Sequence, residues 1–394
     1  MKHKIYLFIE ESVASNYGIG TYVNVLSHAL KDEFSISIVR LFTSDESIFI
    51  SHSDEIESIR FPYPYESDEF EYRYYKRVVF YLKNLLSTDT EKVFFHFNNR
   101  LDILINLLKD EFHGAKYIYT MHYLEWKSLL CTQQIENVDC YNINSTDNKV
   151  KKLVELELSF INQIDRIIVL SNSTYETVKR IFNLDLNKIV CIHNSVPDLF
   201  VYDFMMAKDL IKRELGFCSD DKICLFVGRV VPNKGIIELV NAFKKVLEII
   251  PNCKLLIVGD GCYDLCLKEI KPFFSKVIFT GYIEKDLLIK LYHIADIGVL
   301  PSYFEECNYV VLEMMSTKLP FVISRVPGLT DFLDADDKFS VPCRNIELLA
   351  EKMCLLLQDQ VLRENYSNKV RLKFESEYNV DTLKVKMINL YKEL

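Results

Sequence analysis

A chain of 394 residues is longer than one hydrophobic core usually fills, so two domains are expected. Its 49% hydrophobic and 26% charged content is that of an ordinary globular protein. With 47 basic against 56 acidic residues the net charge is −9, which argues against a dedicated nucleic-acid binder, and no apolar stretch approaches the roughly 20 residues of a membrane span.

In chain order, "MKHKIYLFIEESVAS" has a basic lead but only a short apolar run before Glu10 and Glu11, which reads as a first β-strand and not a signal peptide. "KIYLFIE", "FSISIVRLF", "KVFFHFN", "AKYIYTMH", "RIIVLSN" and "KIVCIHN" are buried-strand patterns rich in Ile, Val, Phe and Tyr. Amphipathic segments such as "TYVNVLSHALKDE" and "KKLVELELSFINQI" lie between them, the signature of a parallel sheet covered by helices. "FPYPYESDEFEYRYYKR" reads as an irregular connection leading into a helix. The basic, aromatic stripe of "EYRYYKRVVFYLKNLL" would suit peripheral contact with an anionic membrane, but a helix packed on its own sheet is the preferred reading. "CTQQIENVDCYNINSTDNK" is a polar surface loop, and its Asn144-Ser145-Thr146 sequon carries no weight without signs of secretion.

The pattern breaks near "NSVPDLFVYDFMMAKD" and restarts with "KICLFVGR", "CKLLIVGDG", "KVIFTG", "DIGVLPS" and "LPFVIS". The fold class is therefore α/β, with two Rossmann-like doubly wound domains, 1–200 and 201–379, and a last helix, 380–394, that would cross back to the first. The 11 cysteines are odd in number, and the closest pair, Cys262 and Cys266, has no histidine or second pair at ligand spacing. Reduced thiols, a cytoplasmic protein and no bound metal or cofactor are the expectation.

Open parallel sheets bind ligands outside the carboxyl ends of their strands, and the chemistry-bearing motifs lie there. "LFVGRVVPNKGIIELVNAF" closes a strand with Gly228 and Arg229 and opens a helix after Lys234 and Gly235. Two cations at a helix mouth are disfavoured unless they serve an anion, and phosphate oxygens suit both. Gly259 in "LLIVGDGCY" and Gly281 in "VIFTGYIEK" close two further strands, either for a ligand or as ordinary turns. In "PSYFEECNYVVLEMM" a helix starts near Asn308 or Tyr309, with Glu305 in the loop before it and Glu313 on an early turn. A helix N-terminus between two carboxylates offers N–H groups to an anion, which suits a diphosphate carrying hydroxyl-rich groups at both ends.

"GRVVPNKG", "IVGDG", "FTGYI" and "PSYFEECNYVVLEMM" occur in the order found in retaining glycosyltransferases of family four, which have the GT-B fold of two Rossmann-like domains facing a cleft. The resemblance spans nearly the whole second half and is looser in the first, through "NYGIGTYVNVL" and "YTMHYLEW". It implies a nucleotide diphosphate sugar as donor and a saccharide, lipid-linked or peptide hydroxyl as acceptor. Arg229 and Lys234 would hold the diphosphate, Glu305 the transferred sugar and Glu313 the ribose. Gly228, Gly259, Gly281, Cys307, Asn308 and Tyr309 would complete the donor site. Gly18 and Gly20 would let a first-domain loop approach the pyrophosphate, and His122 would face the reaction centre across the cleft. A packed strand-end histidine is the alternative for His122.

This chain departs from the family pattern at Glu306, Asn308, Lys318, Pro327-Gly328, Asp331 and Ser195. The form "EECNYVVLEMM" resembles a subgroup associated with Bacteroidetes peptide-modification clusters. A sugar-nucleotide epimerase, a glycoside hydrolase built on paired carboxylates and a non-catalytic nucleotide-sugar-binding subunit are the competing readings.

Overall fold

The computed structural model describes residues 2–11, 18–63, 70–86, 92–132, 148–334 and 337–394. The greater part of the polar loop, including Asn144, lies outside them, as do Asn16 and Tyr17 of the first glycine-containing stretch. Two compact units are present: 1–195 together with 380–394, and 196–379.

In the first unit the strands are β1 (Lys4–Glu10), β2 (Ser35–Thr43), β3 (Phe49–Ser53), β4 (Ile56–Pro62), β5 (Val93–Phe97), β6 (Lys116–Met121), β7 (Arg166–Val169) and β8 (Ile189–Cys191). They form one sheet in the order β3-β4-β2-β1-β5-β6-β7-β8, parallel except where β3 meets β4. Order reverses between β1 and β5, the kind of switch point at which open parallel sheets bind ligands. The β3–β4 hairpin is absent from the sequence reading. Its turn is made by Asp54 and Glu55, both at positive φ, without the Asn-Gly or Asp-Gly that marks such turns. The edge strand "FISHS" is also largely exposed and lacks an apolar run.

The helix Phe70–Leu85 packs Tyr74, Tyr75, Val78, Val79 and Leu82 into the core. Its outer face carries the exposed Tyr72, Arg73, Lys76, Arg77 and Phe80. The helix Val380–Glu393 lies against the helix Gly18–Leu30. Its Tyr391 is buried beside Phe34 and Phe94, and its hydroxyl reaches His96 Nδ1 at 2.6 Å.

The second unit has β9 (Lys222–Val227), β10 (Cys253–Val258), β11 (Val277–Gly281), β12 (Ile297–Leu300), β13 (Phe321–Ser324) and β14 (Ser340–Val341). These are ordered β11-β10-β9-β12-β13-β14 and are parallel throughout. The residues of β9, β10, β12 and β13 are almost wholly buried because helices cover both faces, whereas the edge strand β11 is largely half-buried. The division between units falls after Ser195, five residues earlier than the expected 200. Val196 bridges to Asn379, and Arg371 holds Asp198 through two guanidinium hydrogen bonds at 2.7 and 2.6 Å, which ties 196–200 to the second unit.

Candidate active site

Beyond β9 the chain makes a short turn, Pro232–Lys234, before the helix Ile236–Ile249. Gly235 sits at φ +66°, and a Cβ there would fall 2.1 Å from the Pro301 carbonyl oxygen. Only glycine lets this turn press against the loop that follows β12. The Tyr303 N–H donates to the Asn233 carbonyl at 2.9 Å, and the Tyr303 hydroxyl donates to Glu238 in the first turn of the same helix. Arg344 stacks over the Tyr303 ring, 4.6 Å from its centroid. The two loops are thus pinned together, and Lys234 Nζ lies 2.5 Å from Glu305 Oε1. Both side chains are largely shielded, at 17% and 10% exposure, so water screens their attraction weakly. Arg229 is exposed, and its side chain has no hydrogen-bond or ion-pair partner among the described residues.

Gly228, Gly259 and Gly281 stand at the ends of three neighbouring strands. Gly228 donates to the Val258 carbonyl and Gly259 to the Gly281 carbonyl, each at 2.9 Å. Gly259 has φ +124°, and a Cβ there would sit 2.2 Å from the Gly228 carbonyl oxygen. Close approach of strand ends to one another therefore suffices to require glycine at 259.

The helix after Glu305 runs Tyr309–Ser316. Asn308 is its N-cap, and Asn308 Oδ1 accepts from Val310 N at 2.8 Å and Val311 N at 3.2 Å. Two amides expected to be open to an anion are thus occupied, because asparagine in place of a small residue supplies its own acceptor. Cys307 and Tyr309 flank this cap and are half-buried. Glu313 accepts a 2.6 Å hydrogen bond from the buried Tyr292 hydroxyl. Burial raises the Glu313 pKa, and the Tyr292 hydrogen bond opposes that rise. At the far end of the helix Lys318 takes the left-handed conformation, φ +65°, while Leu319 N donates to the Met314 carbonyl at 2.8 Å. This is the helix-terminating turn that usually favours glycine, so the departure at 318 keeps the backbone shape and puts a side chain where left-handed φ is costly.

In the first unit Gly18 and Gly20 lie in the first turn of a helix, Gly18–Leu30, and not in the loop before it, as expected from sequence. A Cβ at Gly18 would meet nothing within 4 Å. His122 follows β6 directly and is half-buried. Its Nε2 is 3.0 Å from Asn98 Oδ1, and the Tyr22 ring packs edge-on against it with centroids 4.7 Å apart. Desolvation lowers its pKa to about 3, so the ring is neutral at physiological pH. Sequence reasoning missed Tyr303, Glu238, Tyr292 and Asn98. Of these Asn98 was findable, since "KVFFHFNN" ends a strand at the same edge of the sheet as His122.

Each half of the chain is similar to a known family model. Residues 17–198 match the model of Glycosyltransferase Family 4, and residues 207–373 match that of Glycosyl transferases group 1. A glycosyltransferase of Methanocaldococcus jannaschii is 31% identical over 266 residues, covering 64% of this chain. The match spans 66% of that relative's own length. Sucrose-phosphate synthase from Thermosynechococcus elongatus superposes with a TM-score of 0.76 at 21% identity, over 100% of this chain and 99% of that one. HepE of Anabaena, solved in complex with UDP and glucose, superposes with a TM-score of 0.72 at 14% identity, over 100% of both chains. At these identities the two structural likenesses speak for the fold.

Proposed function

We propose, from this chain's place among the GT-B glycosyltransferases, that it moves a hexose from a nucleotide diphosphate sugar to a hydroxyl acceptor with retention of anomeric configuration. The observation that carries this reading is the pairing of Lys234 with Glu305 between the loops that follow β9 and β12, with Arg229 just beyond the end of β9. The solved neighbour that holds UDP and glucose supports a nucleotide-sugar donor.

In this reading Arg229 and Lys234 hold the donor diphosphate, Glu305 binds hydroxyls of the transferred sugar and Glu313 binds the ribose. The strand ends at Gly228, Gly259 and Gly281, with Cys307, Asn308 and Tyr309, border the nucleotide. Gly18, Gly20 and His122 keep the roles that the family resemblance implies for them. The bond from the anomeric carbon to the diphosphate oxygen breaks as the acceptor oxygen bonds to the same face of the sugar. The acceptor's proton passes to the departing diphosphate oxygen. Negative charge grows on the diphosphate, and Arg229 and Lys234 stabilise it, Lys234 after the diphosphate has taken the place of Glu305 as its partner. They supply that charge themselves, so we propose a reaction independent of metal and of any cofactor. The acceptor is a glycan, a lipid-linked saccharide or a peptide hydroxyl.

The test incubates the protein with a panel of labelled nucleotide sugars and measures transfer, hydrolysis and epimerisation side by side, reading the anomer of any product by NMR. Transfer with retained configuration is expected. Epimerised or hydrolysed donor would replace the proposal with an epimerase or a hydrolase. Binding without turnover on all three acceptor classes would replace it with a non-catalytic binding subunit.

A further inference from the structure

A short chain of hydrogen bonds inside the first unit dictates which nitrogen of His122 carries its proton. Asn98 is 2% exposed at the end of β5. Its Nδ2 lies 3.1 Å from the Phe8 carbonyl oxygen, and its own backbone N–H donates to the same oxygen at 3.2 Å. A carbonyl can only accept, so the amide nitrogen must face Phe8 and Oδ1 must face the other way. Oδ1 is the atom 3.0 Å from His122 Nε2, and it too can only accept. A neutral imidazole facing it must therefore carry its proton on Nε2 and keep the lone pair on Nδ1. Nδ1 has no hydrogen-bond partner among the described residues.

The ring is braced as well as oriented. Tyr22, which packs edge-on against it, is 1% exposed, and its hydroxyl lies 3.0 Å from Thr120 Oγ1. Thr120 in turn lies 2.7 Å from His96 Nε2, and His96 Nδ1 lies 2.6 Å from the Tyr391 hydroxyl of the last helix. Nothing in this set is charged: burial lowers the pKa of His96 to about 3 and raises those of Tyr22 and Tyr391.

We propose that Asn98 is a positioning residue, which locks His122 in the Nε2–H tautomer so that the ring offers its Nδ1 as a hydrogen-bond acceptor. Loss of Asn98 removes the preference and lets the ring populate the other tautomer, which would present a donor at the same place. For the neutral ring, the tautomer assignment follows from these distances. Its consequence for turnover rests on the transferase reading above.

The test uses the full chain labelled with 15N-histidine and long-range proton–nitrogen correlation spectra at pH 7, with His122 assigned from its disappearance in His122→Gln. The unsubstituted protein is expected to show the Nε2–H pattern for His122, with no titration between pH 5 and 8. A protonated Nδ1, or a ring that titrates near its ordinary value, overturns the proposal whatever the variants do. Asn98→Ala is expected to show a mixture of tautomers, and an unchanged pattern overturns the proposal. Should that variant fail to fold, Asn98→Asp retains the acceptor. It is expected to keep Nε2–H and to raise the pH at which His122 protonates, and an unmoved titration counts against the proposal.

In the turnover arm, Asn98→Ala is expected to lower kcat/KM for transfer by roughly two- to tenfold, the worth of one ordinary hydrogen bond. Free nucleoside diphosphate binding should stay unchanged. The same substitution placed on His122→Ala should cost nothing further. A second, additive loss in that background would show that Asn98 acts by some route other than His122. If the unsubstituted protein transfers no sugar, the transferase reading fails and the spectra still decide the tautomer.

Discussion

Lys234 and Glu305, 71 residues apart in the chain, are joined at 2.5 Å with their side chains largely out of water. In the proposed function each serves a different part of the donor, the lysine its diphosphate and the glutamate its sugar. With no donor bound they neutralise one another, so neither stands as an unpaired, shielded charge. On the proposed function, donor binding would exchange one partner for another at each residue.

The two carboxylates of the site should be separable on this account. Glu305→Gln keeps the shape, loses the charge and releases Lys234. Free nucleoside diphosphate should bind at least as tightly as before, while transfer falls by about 1.5–3 kcal/mol, roughly 10- to 150-fold. Glu313→Gln should weaken donor and free nucleotide alike, because the ribose is common to both. Calorimetric titration alongside transfer assays checks both, and full transfer activity in a folded Glu305→Gln protein would remove Glu305 from the sugar.

Arg229→Ala and Lys234→Ala should each weaken nucleoside diphosphate far more than nucleoside, by about 1.5–3 kcal/mol for a charge-assisted contact. The exposed Arg229 has no ion-pair partner to lose among the described residues, so its substitution should leave the melting temperature unmoved. Lys234→Ala should lower it, since Glu305 then remains shielded and alone. Equal losses for nucleoside and diphosphate would place neither cation at the phosphates.

Asn308 holds the amides of Val310 and Val311 with its own side chain. Asn308→Gly should cost only a few tenths of a kcal/mol of helix capping, because glycine is itself a tolerable N-cap. It frees two donors at a helix N-terminus, and nucleoside diphosphate should bind more tightly by about 0.5–1.5 kcal/mol, roughly two- to tenfold. Weaker binding would mean that the asparagine assists the ligand and does not compete with it.

Glu157 is buried 3.6 Å from Arg100, and burial lifts its pKa to about 7 against the pull of that guanidinium. The folded protein therefore binds the proton more tightly than the unfolded chain does. The stability this contributes is whole below about pH 4.5 and is lost as pH rises through about 7. Glu157→Gln should match the unsubstituted protein near pH 4.5 and exceed it by about 3 kcal/mol at pH 8.5. Denaturant melts at the two pH values measure this, and a gain equal at both would locate the effect elsewhere.

Much of this protein was determined by sequence alone, because its information is local there. A strand of a parallel sheet is covered on both faces and must be apolar along its length, so "KICLFV" and "CKLLIV" declare themselves without alternation. A turn pressed against another chain segment admits only glycine, so Gly235 marks a helix start and Gly259 a strand end. Glu305 and Glu313 stand out because carboxylates are rare in so apolar a stretch.

Tertiary structure alone decided which groups satisfy one another. The pairing of Lys234 with Glu305 depends on β12 lying beside β9 and on the Tyr303 brace between their loops. The β3–β4 hairpin depends on pairing by a strand with almost no apolar signal of its own. The proton on His122 depends on a carbonyl at Phe8, more than a hundred residues away, acting through Asn98. Hydrogen bonds and ion pairs are short-ranged and directional, so they are set by folded distances, and spacing along the chain leaves them open.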